Sequence, residues 1–346
     1  MSGIKMKKKE NRNGIIEIAR FIAAILMALY HFEWVFIQNP KYFINLYILV
    51  EFFFVISGFF IVINSSKKTL SSYKYVLNQL LKIYPIYLMA FCFCFIIYLI
   101  QNNIAFSYVP LLLWNAKWEI LMCNLFVLSN NTIYNNGGAP AFIPALLFAT
   151  LVLHYLYNNH KKISINIIIP FIIVCGIGRI FYVAGNISQW LKFDNVIALG
   201  IIRAFVDISI GILFADKVYP YLKEKNKFLN IFLLIFSILS FPLLILFRNN
   251  IDSFDLILWI FIFGLFITEA TILFNNRFSK INKILVSFGK LSFPIFMFHY
   301  GVIQLLIYMN LKIKLPYIVI IYLIFIIIIS IFSLIINNLF FKKKNL

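Results

Sequence analysis

The stretch that decides the fold is residues 14–37, GIIEIARFIAAILMALYHFEWVFI. It is apolar over a length that crosses a bilayer as one α-helix, yet it contains Arg20 and His31. A charged side chain at the bilayer centre costs about 2.5 kcal/mol or more if it faces lipid. Eleven residues turn a helix through about 1100°, so both side chains lie on nearly the same face, about 16 Å apart. The pattern predicts a buried reaction site.

Composition extends the membrane interpretation to the whole chain. The 346 residues are 63% hydrophobic, with a mean hydropathy of +0.93. We predict an all-α integral membrane protein, a bundle of about ten transmembrane helices in a single domain, 1–346, with basic cytoplasmic tails at 1–13 and 342–346. The predicted spans are 15–37, 43–63, 80–101, 139–157, 163–184, 196–214, 228–247, 254–274, 290–310 and 315–340.

The distribution of positive charge predicts the orientation. With both termini in the cytoplasm, 21 of the 31 Lys and Arg residues lie on cytoplasmic segments, 6 on outer segments and 4 in or beside spans. This is the positive-inside pattern. It accounts for the net charge of +19 without nucleic acid. We expect a multi-pass protein of the cytoplasmic (inner) membrane whose partners include the lipid bilayer and exclude nucleic acid.

The longest connection, residues 102–138, is predicted on the outer side. Its apolar part, 120–128, is too short to cross the membrane and is either re-entrant or interfacial. The four cysteines have no metal-ligand spacing, so we expect neither a metal site nor a disulfide framework.

The two polar residues of the first span have both functional and structural interpretations. His31 can act as a general base near neutral pH, or it can be a hydrogen-bonded histidine of a helix bundle. Arg20 can bind a phosphate, or it can form an ion pair with Glu17, three residues earlier. Glu33 faces away from His31 and can pair with another span or lie at the outer interface.

Other polar positions are also ambiguous. Ser57 and Gly58 either let two helices approach closely or leave room for a thin ligand beside His31. Lys82 can meet a phosphate or anchor the cytoplasmic end of its span. Arg203 and Asp207 can pair with each other on one helix. His299 is expected to be structural or to form a wall of the site, and His154 to be structural; Glu269 and Arg179 are left unassigned.

Four elements occur in an order typical of one family. They are Arg20 followed after ten residues by His31, the string FFFVISGF at 52–59, the string KIYP at 82–85, and GKLSFPIFMFH at 289–299. Over nearly the whole chain this order resembles the membrane acyltransferase family 3, the O-acyltransferases of bacterial surface glycans.

The resemblance implies a ten-helix bundle that transfers an acyl group, acetyl by default, from cytoplasmic acyl-CoA to a hydroxyl of a cell-surface polysaccharide or its lipid-linked precursor. Acyl-CoA is a donor substrate, and no permanently bound cofactor is expected. His31 matches the catalytic histidine and Arg20 the motif arginine. The expected acyl-CoA or substrate contacts are Arg20, Lys82, Ser57, Gly58 and Tyr84, with support from Glu33 and His299.

The chain departs from the family pattern at two places. Gln79 and Lys82 stand where the family often has two arginines, and residues 139–146 lack a glutamate that many members carry. Two other functions therefore remain open at this point. One is a multi-span transporter of a glycan precursor or small solute, and the other is a noncatalytic membrane scaffold.

Overall fold

The part of the chain that the structure describes is almost wholly helical. The computed structural model describes residues 12–37, 42–65, 70–122, 139–185, 193–194, 197–246, 253–274, 279–311 and 313–340. The helices are α1 (Gly14–Phe36), α2 (Leu49–Ser65), α3 (Ser72–Gln101), α4 (Val109–Asn115), α5 (Lys117–Ile120), α6 (Ala139–Asn159), α7 (Lys161–Ile163), α8 (Ile169–Ala184), α9 (Leu199–Leu213), α10 (Tyr219–Lys223), α11 (Lys227–Leu246), α12 (Ser253–Leu273), α13 (Ser279–Gly289), α14 (Ser292–Met309) and α15 (Leu315–Phe340).

Short elements join several of these helices. A 3₁₀ turn over Leu46–Ile48 leads into α2, and another over Phe106–Tyr108 leads into α4. Two short strands, β1 (Phe193–Asp194) and β2 (Ile197–Ala198), pair antiparallel before α9. Single π-helical turns over Ser164–Ile168 and Phe214–Val218 precede α8 and α10. Each of these two helices has a proline in its first turn, and the wider π turn relieves the clash of a proline ring with the preceding carbonyls.

Helix lengths identify a multi-pass membrane protein. Among the described residues, 7 helical segments are long and apolar enough to cross a bilayer: Gly14–Phe36, Leu46–Ser65, Ser72–Gln101, Phe142–Asn159, Lys161–Ala184, Lys280–Met309 and Leu315–Leu339. Lys227–Leu243 and Ile257–Leu273 are shorter apolar helices. Helix occupies all the predicted spans, although α3 begins at Ser72 rather than residue 80. Most of the predicted tail at residues 1–13, and all of the predicted tail at residues 342–346, lies outside the described residues.

The beginning of α1 is tied to two other helices by asparagine side chains. Asn13 caps the helix, because its side-chain oxygen accepts hydrogen bonds from the backbone N–H groups of Ile15 and Ile16. Its amide donates to the carbonyl of Ala270 at 2.8 Å, near the end of α12. The N–H of Gly14 donates to Asn282 Oδ1 of α13 at 2.6 Å. The first turn of α1 is therefore held in a defined position relative to α12 and α13.

Five helices form a ring at the centre of the bundle. Around the ring α1 contacts α2, α2 contacts α6, α6 contacts α3, α3 contacts α14, and α14 contacts α1. Phe53 of α2, Phe142 of α6 and Phe296 of α14 meet inside it, with ring centroids of Phe142 and Phe296 5.2 Å apart. Outside the ring, α9 packs on α2 and α6, α8 on α9, and α15 on α14 and α3.

The backbones of α2 and α9 lie in close contact. A methyl group added at Gly58 would lie 2.0 Å from the carbonyl oxygen of Ile208, and one added at Gly211 would lie 2.1 Å from that of Val55. Neither position can hold a side chain unless the two backbones move apart. The pair of glycines therefore sets the distance between α2, which is part of the ring, and α9, which supports it from outside.

Candidate active site

His31 lies beside a second histidine on the wall of the ring. Its imidazole is 5.0 Å from that of His299 between ring centroids, and the two rings are inclined by 31°. His299 comes from α14 and is buried, with an exposed fraction of 1%. The ring of His31 also packs edge-on against Tyr30 at 4.9 Å. His31 itself is only part-buried, so it presents accessible surface at this point.

One backbone hydrogen bond determines which nitrogen of His299 carries the proton when the ring is neutral. Nδ1 lies 2.7 Å from the carbonyl oxygen of Phe296. A carbonyl can only accept, so Nδ1 is the donor, and Nε2 of the neutral ring has a lone pair. Nε2 is buried and has no hydrogen-bond partner among the described residues. The second histidine therefore offers a proton acceptor next to His31.

Arg20 lies on the same continuous helix, nearer its Asn13 end. Nη1 contacts both carboxylate oxygens of Glu17, at 3.2 and 3.3 Å, so the ion pair that the sequence allowed is present. Nε is buried without a hydrogen-bond partner among the described residues. The edge of the guanidinium formed by Nε and Nη2 is therefore not used by Glu17. That edge is the one that holds a phosphate or carboxylate through two parallel hydrogen bonds.

The helix between these two residues has small and flexible side chains. Because α1 is unbroken from Gly14 to Phe36, Arg20 and His31 are separated by about 16 Å along its axis, as predicted. Ala23 and Met27 lie between them on this side of the helix and belong to the central apolar cluster. The geometry places a cation and a titratable ring at the two ends of one narrow apolar strip.

Comparison with known proteins identifies the family. A family model described as an acyltransferase domain matches residues 13–337, nearly the whole chain. The chain belongs to the acyltransferase 3 family. It is a membrane enzyme that transfers acyl groups other than amino-acyl groups, and the transporter and scaffold alternatives are set aside. No curated protein and no solved structure matches the chain.

In this acyltransferase, Ser57 and Gly58 lie on different sides of α2. Gly58 contacts the backbone of α9, which is the close-approach interpretation of that residue. The hydroxyl of Ser57 donates to the carbonyl of Phe53 at 2.8 Å. Residues 48–62 are buried except for three part-buried positions, Phe53, Ser57 and Phe60. The spacing of these three residues puts them on one face of the helix. Since Phe53 points into the ring, Ser57 lies on the face of α2 turned towards the ring.

Tyr84 and Lys82 point in different directions from α3. The hydroxyl of Tyr84 donates to the carbonyl of Ile120 at 3.2 Å, and that of Tyr87 donates to the carbonyl of Glu119. These tyrosines precede the end of α3 by about 20 Å or more at about 1.5 Å per residue, so α5 folds back along the helix. Lys82 is on the exposed side of α3. The acyl-CoA contacts expected of both residues remain predictions.

Glu33 stabilises the connection between α1 and α2. Its two carboxylate oxygens accept hydrogen bonds from the backbone N–H groups of Tyr42 and Phe43, both at 2.7 Å. The side chain is 2% exposed. The carboxylate therefore faces the chain that follows α1, away from His31 as predicted, and any support that it gives to the site acts through this connection.

The pairing of Arg203 differs from the sequence prediction. Asp207 on the same helix was the expected partner, but the guanidinium also meets the carboxylate of Glu51 from α2. Asp207 lies within electrostatic range of the same guanidinium. The exposed fractions of Glu51, Arg203 and Asp207 are 0%, 2% and 2%. We call these three residues the Arg203 cluster. Residue spacing on one helix could not reveal a partner on another.

Two residues left without partners at the sequence level have partners in the structure. Nδ1 of His154 lies 2.9 Å from the hydroxyl of Ser72, and its ring stacks on Tyr75 at 4.2 Å. Arg179 holds Asp194 through two hydrogen bonds of 2.5 Å. The guanidinium lowers the pKa of Asp194 below its usual value. Glu269 is buried, and neither of its carboxylate oxygens has a hydrogen-bond partner among the described residues.

No group of three or more His, Cys, Asp or Glu side chains is arranged to hold a metal ion within the described ranges. The candidate site consists of imidazole, guanidinium, hydroxyl and apolar groups. These are the groups that proton transfer and anion binding use.

Proposed function

We propose that the enzyme transfers an acyl group, acetyl in the first instance, from cytoplasmic acyl-CoA to a hydroxyl of a cell-surface polysaccharide or its lipid-linked precursor. The observation that carries the proposal is the pair formed by His31 and His299 inside the five-helix ring, on the helix that also presents Arg20. An imidazole beside a second proton acceptor suits deprotonation of a hydroxyl.

Arg20 binds the donor in this proposal. Acyl-CoA combines anionic phosphates with a long, thin arm that ends in a thioester. The unused edge of the guanidinium suits a phosphate or a carbonyl group of the arm. The separation of about 16 Å along α1 suits an extended arm with its thioester at His31. Ser57 lies on the ring-facing side of α2 and lines this route.

The chemical step uses His31 as a general base. A nitrogen of His31 takes the proton of the acceptor hydroxyl while the oxygen attacks the thioester carbonyl carbon. The new C–O bond forms, the C–S bond breaks, and the CoA thiolate takes a proton from the imidazolium. Nε2 of His299 has no partner among the described residues. In the proposed step it takes a hydrogen bond from His31, which leaves the other nitrogen of His31 turned to the acceptor. In the second route, His31 itself is acylated and passes the group on.

We further propose about ten spans, with both termini in the cytoplasm of the inner membrane. The 7 long segments and the two shorter apolar helices account for nine of these spans. The tenth is the continuous helical segment formed by α9, the π turn and α10. The beginning of α1, the end of α12 and the beginning of α13 lie together, and an even number of spans with cytoplasmic termini places all three at the cytoplasmic face.

His31→Ala tests the proposal. The protein in lipid nanodiscs, which leave both faces accessible, is supplied with radiolabelled acetyl-CoA and with surface polysaccharide from the producing cells, de-O-acylated by mild base. We expect transfer to fall by about 10²- to 10⁴-fold, because general-base catalysis contributes about that factor. His160→Ala, at an exposed position, is the matched control and should retain activity. Full activity of His31→Ala with equal protein levels would refute the assignment.

A second readout separates the two chemical routes. The enzyme is incubated with labelled acetyl-CoA in the absence of acceptor, quenched, and analysed by peptide mass spectrometry. An acetyl group on the peptide that contains His31, absent from His31→Ala, supports the acyl-imidazole route. An unmodified peptide, from enzyme that transfers acetyl groups once acceptor is added, supports direct transfer.

A further inference from the structure

The Arg203 cluster lies near a pair of tyrosines, one of which contacts the proposed catalytic histidine. Tyr30 and Tyr47 are both within electrostatic range of the Arg203 guanidinium. The two phenol rings lie 6.2 Å apart, and the ring of Tyr30 lies 4.9 Å from His31. Ring contacts therefore connect the two tyrosines to His31, and the Arg203 guanidinium acts electrostatically on both phenols.

The charges of the cluster are buried where charge is costly. Two carboxylates and one guanidinium lie within helices that form part of the membrane bundle, and all three are at least nine-tenths buried. One guanidinium and one carboxylate would suffice to join α2 to α9, and the glycine contacts already hold these helices together. Asp207 is additional, and its Oδ2 is buried without a hydrogen-bond partner among the described residues. Intramembrane charges of this kind are typical of functional sites.

The chemistry of the Arg203 cluster and the two tyrosines favours one class of ligand. Two carboxylates beside one guanidinium disfavour an anion, so this group of side chains does not suit the phosphates of the donor. A carboxylate oxygen accepts a hydrogen bond, and tyrosine hydroxyls both donate and accept. Trp34, 52% exposed and 6.2 Å from Tyr30 between ring centroids, adds an aromatic face at the Phe36 end of α1. Neutral molecules with several hydroxyls match this combination.

We propose that Tyr30, Tyr47 and Asp207 form the acceptor subsite, which binds hydroxyl groups of a sugar next to the hydroxyl that is acylated. Asp207 Oδ2 accepts a hydrogen bond from one sugar hydroxyl, and the Tyr47 hydroxyl bonds a second. Arg203 and Glu51 act as positioning residues that hold Asp207 and the tyrosines in place. The inference rests on the proposed function and assigns its acceptor side.

Steady-state kinetics of the full-length protein in lipid nanodiscs test the subsite. The probes are radiolabelled acetyl-CoA and de-O-acylated surface polysaccharide from the producing cells. For Asp207→Asn and Tyr47→Phe we expect the acceptor KM to rise about tenfold or more, as loss of a hydrogen bond to a charged or buried group implies. The acetyl-CoA KM, and any hydrolysis of acetyl-CoA that the wild type shows without acceptor, should change less than about twofold.

Matched variants and a stability measurement complete the test. Tyr157 donates to Asp216, which also pairs with Lys161, so Tyr157→Phe and Asp216→Asn remove the same groups from a cluster elsewhere. Both should leave the acceptor KM unchanged. Tyr47→Phe removes the hydroxyl and keeps the aromatic ring, so this variant still tests the subsite if Asp207→Asn does not fold. An unchanged acceptor KM in both Asp207→Asn and Tyr47→Phe overturns the subsite alone. So does a fall in unfolding temperature and kcat while the acceptor KM stays constant. Absence of transfer by the wild type overturns the proposed function as well.

Discussion

At the residue scale, the site depends on side chains that keep one hydrogen-bonding edge unused while another edge is fixed. Arg20 is fixed through Nη1 on Glu17, and His299 is fixed through Nδ1 on the carbonyl of Phe296. In each case a buried nitrogen remains without a partner among the described residues. Unsatisfied buried donors and acceptors are costly in a folded protein, which favours a ligand or a proton at these two atoms.

Arg20→Lys should separate charge from hydrogen-bond geometry. Lysine keeps the positive charge but has no planar edge for two parallel hydrogen bonds. We expect the acetyl-CoA KM to rise about tenfold or more with a smaller change in kcat, because a charge-assisted hydrogen bond contributes roughly 1.5–3 kcal/mol. Arg179→Lys, which alters an exposed pair with Asp194, is the control. An unchanged acetyl-CoA KM in Arg20→Lys would remove Arg20 from the donor site.

The role of His299 can be tested by two amide substitutions. Asparagine places a donor near the position of Nδ1 and keeps the bond to Phe296, whereas glutamine places an acceptor near the position of Nε2. We expect His299→Gln to retain more transfer activity than His299→Asn, with about a tenfold difference, since the proposed mechanism uses the lone pair of Nε2. Equal activity of the two variants, measured at equal unfolding temperature, would make His299 a packing residue only.

At the scale of elements, the position of α2 determines the shape of the site. This helix supplies Phe53 and Ser57 to the ring on one side and meets α9 through Gly58 on the other. The carboxylate of Glu33 ties the segment before α2 to the end of α1. One wall of the site is thus α2, and the position of α2 is set outside the site by its backbone contacts with α9.

Gly58→Ala should destabilise the protein, since the new methyl group would be forced against the carbonyl of Ile208. We expect a loss of about 1–3 kcal/mol, typical of an overpacked contact, seen as a lower unfolding temperature in nanodiscs. Gly178→Ala in α8 is the matched control, because nothing lies within 4 Å of its added methyl group. Equal unfolding temperatures for wild type and Gly58→Ala would contradict the close approach.

At the scale of the whole molecule, orientation in the membrane decides which substrate reaches which end of the site. The proposal places the Asn13 end of α1, with Arg20, at the cytoplasmic face where acyl-CoA is found. The Phe36 end, with Trp34 and the acceptor subsite, then faces the outer side. In this proposed orientation, donor and acceptor approach the His31 ring from opposite sides of the bilayer. Within the bundle, α5 lies along α3.

Cysteine labelling tests this orientation. In a variant without the four native cysteines, Asn103→Cys lies after α3 and Lys225→Cys lies between α10 and α11. With a membrane-impermeant maleimide we expect Asn103→Cys to react in intact cells and Lys225→Cys to react only after lysis, as the positive-inside pattern predicts. The reverse result would invert the topology and separate Arg20 from cytoplasmic acyl-CoA.

Local sequence was sufficient for the helices and for part of the site. Apolar length and charge predicted the multi-pass helical protein, since these quantities are set by the bilayer and not by contacts between helices. The spacing of Arg20 and His31 was predictable because one unbroken helix contains both. Motif order predicted the acyltransferase family, which the family match confirmed.

Tertiary structure alone decided which helices meet. The approach of His299 to His31, the contact of Glu51 with Arg203, and the return of α5 to Tyr84 all join residues far apart in the chain. In a membrane every apolar helix face is compatible with lipid, so hydropathy does not specify neighbours. Close packing at small residues and the need to pair buried polar groups specify them, and both are properties of two helices together.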